Sequence, residues 1–346
     1  MMGPGFHPRR TEAFDIVAGA PARIAVMAPA VAMVGVPAEI AIRIEDKFGN
    51  AVNSFAGRIA VRTSDVRATI PKIVTPKPTH GIARFMAQFA TTGVQTVEAV
   101  CGNLRGRVAV HVVPKPRGNP RGLALVETAN GILIQNECVR IWLPRTEQGY
   151  GTALFFMRHD GDWILLGATP SLIAFRTSPI TNDVRRDQLG RIVLESAFTE
   201  FAFLKNSRAM RDGDRIAVTL TGDVRIGNLT WDVNAMLSLR RGARHVKIRT
   251  HLLPRADAKL IALATPLIYA GDGSFGARKT LALFPALEYL EPQEESSSTR
   301  GVAYPFNLRY APHPYKITMP LMAVSHTSGT IMLTWSPLQR WHDNNA

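Results

Sequence analysis

The sequence predicts an all-β chain built as two β-sandwiches in series, a smaller one followed by a larger one. Three observations carry this. Apolar and polar residues alternate with period two in stretch after stretch, turn residues interrupt them about every ten positions in the first third of the chain, and N-caps followed by 3.6-residue periodicity are lacking. The 346 residues exceed one ordinary core and suit two domains. A hydrophobic content of 46% against 20% charged residues marks a folding chain and excludes wholesale disorder.

Within residues 16–114 the alternating stretches are "ARIAVMA" (22–28), "AEIAIRIED" (38–46) and "GRIAVRTSD" (57–65). The stretch 81–114 divides at "TTG" and "CGNLRG" into three further strands. That many short strands, punctuated this regularly, make one small sandwich. Residues 115–121, "KPRGNPR", read as a linker whose prolines favour extended backbone and hold the two domains apart semi-rigidly. Residues 122–340 carry longer candidates at 131–144, 152–159, 162–168, 191–205, 214–226, 229–242, 245–254, 315–326 and 330–335. "DGDW", "DGD", "RGAR" and "TSGT" supply hairpin turns, and a turn of helix is expected only within 255–265. So many long antiparallel strands imply a single large sandwich.

The order alternating strand, "EDKFGNAV", "TSD", "GIARFMAQFATTGVQTVEA" and final "VHVVP" resembles the bacterial immunoglobulin-like domains of invasin and related surface proteins. Asp46, Gly49 and Asn50 match that family's strand-to-turn signature, and their chemistry is that of an Asx turn. The resemblance implies an immunoglobulin-like β-sandwich over 16–114 and an extracellular or cell-surface setting. The stretch "GNLTWDVNAMLSLRRGARHVKIRTHL" is similar to the β-supersandwich of galactose-mutarotase type, which some bacterial carbohydrate-processing enzymes place ahead of an α/α toroid. It implies a supersandwich over 122–340 and a carbohydrate or polysaccharide partner. The short His and Glu motifs of mutarotases proper are not found. No helical region follows the strand at 330–335, so the resemblance implies the non-catalytic front of such an enzyme, its toroid missing, or a truncated relative.

The formal net charge is +14, and 32 of the 41 cations are Arg. The excess is spread over both halves with no long basic run, which argues against nucleic acid as the partner. "MMGPGFHPRR" has charge but no apolar stretch close behind, so no secretory signal is visible, and the most apolar stretch, 24–42, is broken by Pro29, Pro37 and Glu39, so no membrane span is expected. Cys101 and Cys138 are isolated thiols, none of the nine His forms an HxH or HxxxH pair, and "GDGSFG" lacks the context of a phosphate cradle; neither metal nor cofactor is expected.

One segment stands against the basic background. "LFPALEYLEPQEESSST" (283–299) concentrates Glu288, Glu291, Glu294 and Glu295. Read as a strand, Glu288 and Glu291 fall on opposite faces about 10 Å apart, so they are no acid/base pair by themselves. Together with Tyr289, Arg309, His313 and Tyr315 they offer the carboxylate, cation and aromatic mixture that binds sugars, and we expect these six to line one pocket. The competing reading is a surface network neutralising Arg278, Arg300 and Arg309. Glu288, His251 and His313 are the candidate acid/base groups if the chain is catalytic. Three functions stay open: a carbohydrate-binding or -processing protein forming the non-catalytic β-rich part of a glycoside hydrolase-like or polysaccharide-processing enzyme, a bacterial surface adhesion module, or a small mutarotase- or lyase-like enzyme.

Overall fold

The computed structural model describes residues 17–77, 81–179, 201–271, 279–283, 318–326 and 329–336, and all regular structure in them is β. The first eight strands are β1 (Arg23–Met27), β2 (Val31–Met33), β3 (Pro37–Glu45), β4 (Ile59–Thr63), β5 (Ile73–Val74), β6 (Ile82–Gln88), β7 (Gly93–Cys101) and β8 (Leu104–Val113). They form two sheets, β1-β3-β6 and β2-β8-β7-β4-β5, with β2 parallel to β8. Alternation decides what lies between them: Ile40, Ile42 and Ile44 of β3 meet Ile59 and Val61 of β4, Val97 and Ala99 of β7 and Val110 of β8 in one core. The Asp46 turn behaves as its sequence implies. Its carboxylate accepts the N–H groups of Gly19 (3.0 Å), Phe48 (2.8 Å) and Asn50 (2.9 Å) and the Asn50 side-chain amide (3.0 Å). Gly49 supplies the positive φ of 91° that the turn needs.

The remaining strands are β9 (Ala124–Thr128), β10 (Gly131–Gln135), β11 (Val139–Pro144), β12 (Ala153–His159), β13 (Asp162–Thr169), β14 (Ala174–Pro179), β15 (Asn206–Asp212) and β16 (Arg215–Ile226). They continue with β17 (Leu229–Arg240), β18 (Lys247–Pro254), β19 (Ala258–Ala264), β20 (Tyr269–Ala270), β21 (Lys279–Leu283), β22 (Leu321–His326) and β23 (Gly329–Thr334). A six-stranded sheet, β20-β13-β12-β11-β10-β9, faces a four-stranded one, β15-β16-β17-β18, while β14-β19 and β21-β22-β23 form smaller sheets. The all-β expectation is met. Two local expectations are not. Residues 131–144 are a hairpin instead of one strand, because Asn136 Oδ1 accepts the N–H groups of Cys138 (2.8 Å) and Val139 (2.7 Å) and turns the chain. Residues 255–265, where a helical turn was expected, hold β19, whose Ala- and Leu-rich sequence pairs with β14.

The middle of the six-stranded sheet, β10, β11 and the first half of β12, is buried on both faces. Ile132, Ile134, Ile141, Leu143 and Phe155 pack against Val218, Leu220, Val233 and Leu237 of the four-stranded sheet. On the opposite face Leu133, Trp142, Leu154, Phe156 and Ala168 pack against Val31 and Val113 of the first sandwich. Double-sided burial explains why β10 reads as a continuous apolar run instead of alternating. It also overturns the expectation that the linker holds two bodies apart. Trp142 Nε1 donates to Pro114 O (2.8 Å), Arg140 Nη2 to Asn119 Oδ1 (2.7 Å) and Gln135 Nε2 to Pro120 O (2.6 Å), so 114–120 is tied along the sheet it crosses. The physical reason is the second apolar face, which must be covered.

His111 of β8 sits at this junction, between Val31 of β2 and Val94 of β7 in register. Its Nδ1 lies 3.3 Å from the hydroxyl of Thr152, which donates to Pro170 O (3.0 Å), and its ring meets Phe203 edge-on with centroids 6.3 Å apart. Burial pushes the imidazole pKa down. The folded state therefore favours neutral His111: its contribution is intact above about pH 6.5, where the unfolded chain also holds it neutral, and is lost as pH falls through the depressed folded value. The melting temperature is expected to drop more between about pH 7 and pH 5 in the native chain than in His111→Gln. Parallel drops in the two proteins, measured by calorimetry, would show that His111 is not the cause.

Candidate functional site

Glu288, Tyr289, Glu291, Arg309, His313 and Tyr315 lie outside the described residues, as does most of the glycine-rich loop after Tyr269. His251 is described. It is exposed on β18, in register with Asn234 of β17, and it shares its face with Lys247, Arg249 and Leu253. That face leads to a larger feature.

In the four-stranded sheet one side is apolar and buried, carrying Ile216, Val218 and Leu220 of β16, Val233, Ala235 and Leu237 of β17 and, partly buried, Ile248 of β18. Period two then turns the intervening residues outward. The rows that cross all four strands read Met210–Ala217–Ser238–Lys247, Arg208–Thr219–Met236–Arg249 and Asn206–Thr221–Asn234–His251. Beyond the first of them lies Asp212–Arg215–Arg240 on three strands. Five cations, Arg208, Arg215, Arg240, Lys247 and Arg249, thus gather toward one end, with Asp212 as the acid in those rows. Lys247 and Arg249, two apart along β18, are about 7 Å apart, and Arg215 and Arg240 stand opposite each other in register. Arg208, Arg240, Lys247 and Arg249 are exposed, and the apolar residues of the face include the exposed Met210 and Leu253 and the half-buried Met236.

The other end of the face carries Asp223 and Asp232, opposite each other in register. Arg255 grips Asp232 through Nε (3.2 Å) and Nη2 (2.6 Å), and that hydrogen bonding holds the carboxyl below the usual range. An acid that might have balanced the field is thereby committed locally. Among the described residues no three His, Cys, Asp or Glu side chains converge as metal ligands, both cysteines are free thiols, and no helix is long and apolar enough to cross a membrane.

No family model matches the chain, and no curated protein matches it. Solved structures do. Domains 4–9 of the surface layer protein SbsC match over 78% of this chain and 33% of that one, at 12% identity and a TM-score of 0.25. The Escherichia coli adhesin FdeC matches over 73% of this chain and 66% of that one, at 14% identity and a TM-score of 0.25. Invasin, a bacterial integrin-binding protein, matches over 89% of this chain and 78% of that one, at 11% identity and a TM-score of 0.22. The chain thus spans a third of the first structure's length, and scores this low carry no argument about function. The structures named here lend nothing to the galactose-mutarotase-like reading of 122–340.

The cationic face was within reach of the sequence. "HVKIRTHLLP" at period two puts Lys247, Arg249 and His251 on one side. What the sequence withholds is the register that sets Arg208 and Arg240 in the same field.

Proposed function

We propose that the chain is an interaction module of a bacterial surface that binds an acidic polysaccharide through the outer face of the β15–β18 sheet. The observation that carries this reading is the field of five cations in adjoining rows with a single acid among them. Its chemistry suits a partner with spaced negative charges: exposed Arg and Lys attract it over a Debye length of about 8 Å at physiological salt, and Thr219 and Asn234 between them offer hydrogen bonds to hydroxyls. A nucleic acid fits less well, since the rows hold no Phe, Tyr or Trp on which bases would stack. The enzymatic readings rest on Glu288 and His313, outside the described residues, and on His251, whose register partner is an amide.

Titration with polygalacturonate, dextran and single-stranded DNA tests the reading. Binding to polygalacturonate but not dextran is expected, weakening as salt rises. Reversing two charges in Lys247→Glu/Arg249→Glu should lower affinity by about tenfold or more. Unchanged affinity in that variant, or equal binding of the DNA, would sink the proposal.

A further inference from the structure

A second cationic site lies where the linker crosses the β12–β13 hairpin. A cavity of about 210 Å³ opens there, lined by Asn119, Pro120 and Arg121 of the linker and Arg158, Gly161 and Trp163 of the hairpin. Behind it stands Arg140, only 8% exposed. Its Nε donates to Gln135 Oε1 (2.9 Å), its Nη2 donates to Asn119 Oδ1 (2.7 Å), and its guanidinium lies 4.3 Å from the centre of the Trp163 ring. All three partners are neutral. They fix the direction of the guanidinium without cancelling its charge.

A buried cation without a countercharge is costly, and structural arginines normally meet a carboxylate. Here, among the described residues, the charge that acts on Arg140 is that of Arg158, of the same sign. Burial first, and the Arg158 charge second, pull the Arg140 pKa down to about 10, with no carboxylate among the described residues acting the other way. Alternation explains where the acids went. Arg158 pairs in register with Trp163 on the cavity face, whereas Asp162 pairs with His159 on the other face. Asp160, in the turn, lies 3.4 Å from the His159 ring.

We infer that this cavity is a binding site for one oxyanion group, a carboxylate or a sulfate, which Arg121 and Arg158 hold in front of Arg140. The oxyanion supplies the missing countercharge, and guanidinium donors match its oxygens in bidentate fashion. The cavity suits a group no larger than a single acidic sugar or an inorganic ion. Because one wall is the linker and the other the hairpin, occupancy ties the two together and stabilises the folded chain by mass action. The site is separate from the outer sheet face and does not depend on the function proposed for it.

Calorimetric titration of the full chain with sodium sulfate and, separately, with sodium glucuronate decides the matter, with chloride holding ionic strength constant. Saturable binding of at least one is expected, and which of the two saturates identifies the preferred oxyanion. Arg158→Gln and Arg121→Gln, both at exposed positions, should each weaken it by about tenfold or more. Lys247→Glu/Arg249→Glu should leave it unchanged. Heat indistinguishable from the chloride background, or equal affinity in the native chain and Arg158→Gln, overturns the inference.

Discussion

Replacing Trp142 with Ala should destabilise the chain by about 3–5 kcal/mol and split its thermal unfolding into two transitions. The indole is 1% exposed, fills the space between Leu133, Leu154 and the first sandwich's Val31 and Val113, and donates to Pro114 O at 2.8 Å. Truncation opens a cavity where the first sandwich rests on the six-stranded sheet and leaves a linker carbonyl without its donor. Each β-region keeps its own core, so the junction should fail first. Trp142→Phe keeps one aromatic ring but gives up the donor and the second ring of the indole, and should fall between the native chain and Trp142→Ala, at about 2 kcal/mol. Differential scanning calorimetry reads both; a single transition for Trp142→Ala within about 1 kcal/mol of the native chain would show that the junction is not a core.

The second large effect lies in the first sandwich. Asp65 is 2% exposed, and its carboxylate accepts the N–H of Ala90 (2.6 Å), the N–H of Thr91 (2.9 Å), the Thr91 hydroxyl (2.8 Å) and the N–H of Arg67 (3.2 Å). Burial pushes its pKa up, and those four donors together outweigh burial and hold it below the usual value. Its contribution is therefore present above the unfolded value of about 3.9 and is lost as pH falls through the lower folded value. Asp65→Ala strands the donors of the turn between β6 and β7 and should cost about 2–3 kcal/mol, with Asp65→Asn between the two. In urea titrations at neutral pH the midpoints should rank in that order. At a pH below the folded value the gap between native and Asn proteins should close, and a gap that persists there would mean the charge is not what matters.

The strands of the first sandwich were legible because each has one wet face. In "AEIAIRIE" the isoleucines recur at every second position and lie in the core as the pattern dictates. The same rule fails in "GILIQNECVRIWLP", where both faces are dry, alternation vanishes, and the turn at Asn136 carries no Gly or Pro to mark it. The linker misled for a related reason. Its prolines state an extended backbone correctly, but whether an extended segment spans water or lies on a sheet depends on the apolar face beneath it, which sequence separates from it by many positions. Arg140 was invisible as a site residue because a lone Arg in a strand reads as a surface cation, and only the register with Gln135 and the crossing of Asn119 show it buried. The six residues of the acidic segment that seemed to form a pocket fall outside the described residues, so that expectation stands untested.

The double-sided burial at the middle of the six-stranded sheet bears on how such a chain changes over evolutionary time. Beads-on-a-string proteins gain and lose modules freely because nothing but the string joins them. Here the first sandwich is the lid of its neighbour's core, with Val31 and Val113 inserted against Trp142. Swapping it for another sandwich would require the newcomer to present the same apolar contour and to deliver its last strand at Pro114 in the same direction. The proline-rich stretch looks like a place to cut and join, yet the unit that recombination must carry intact runs across it.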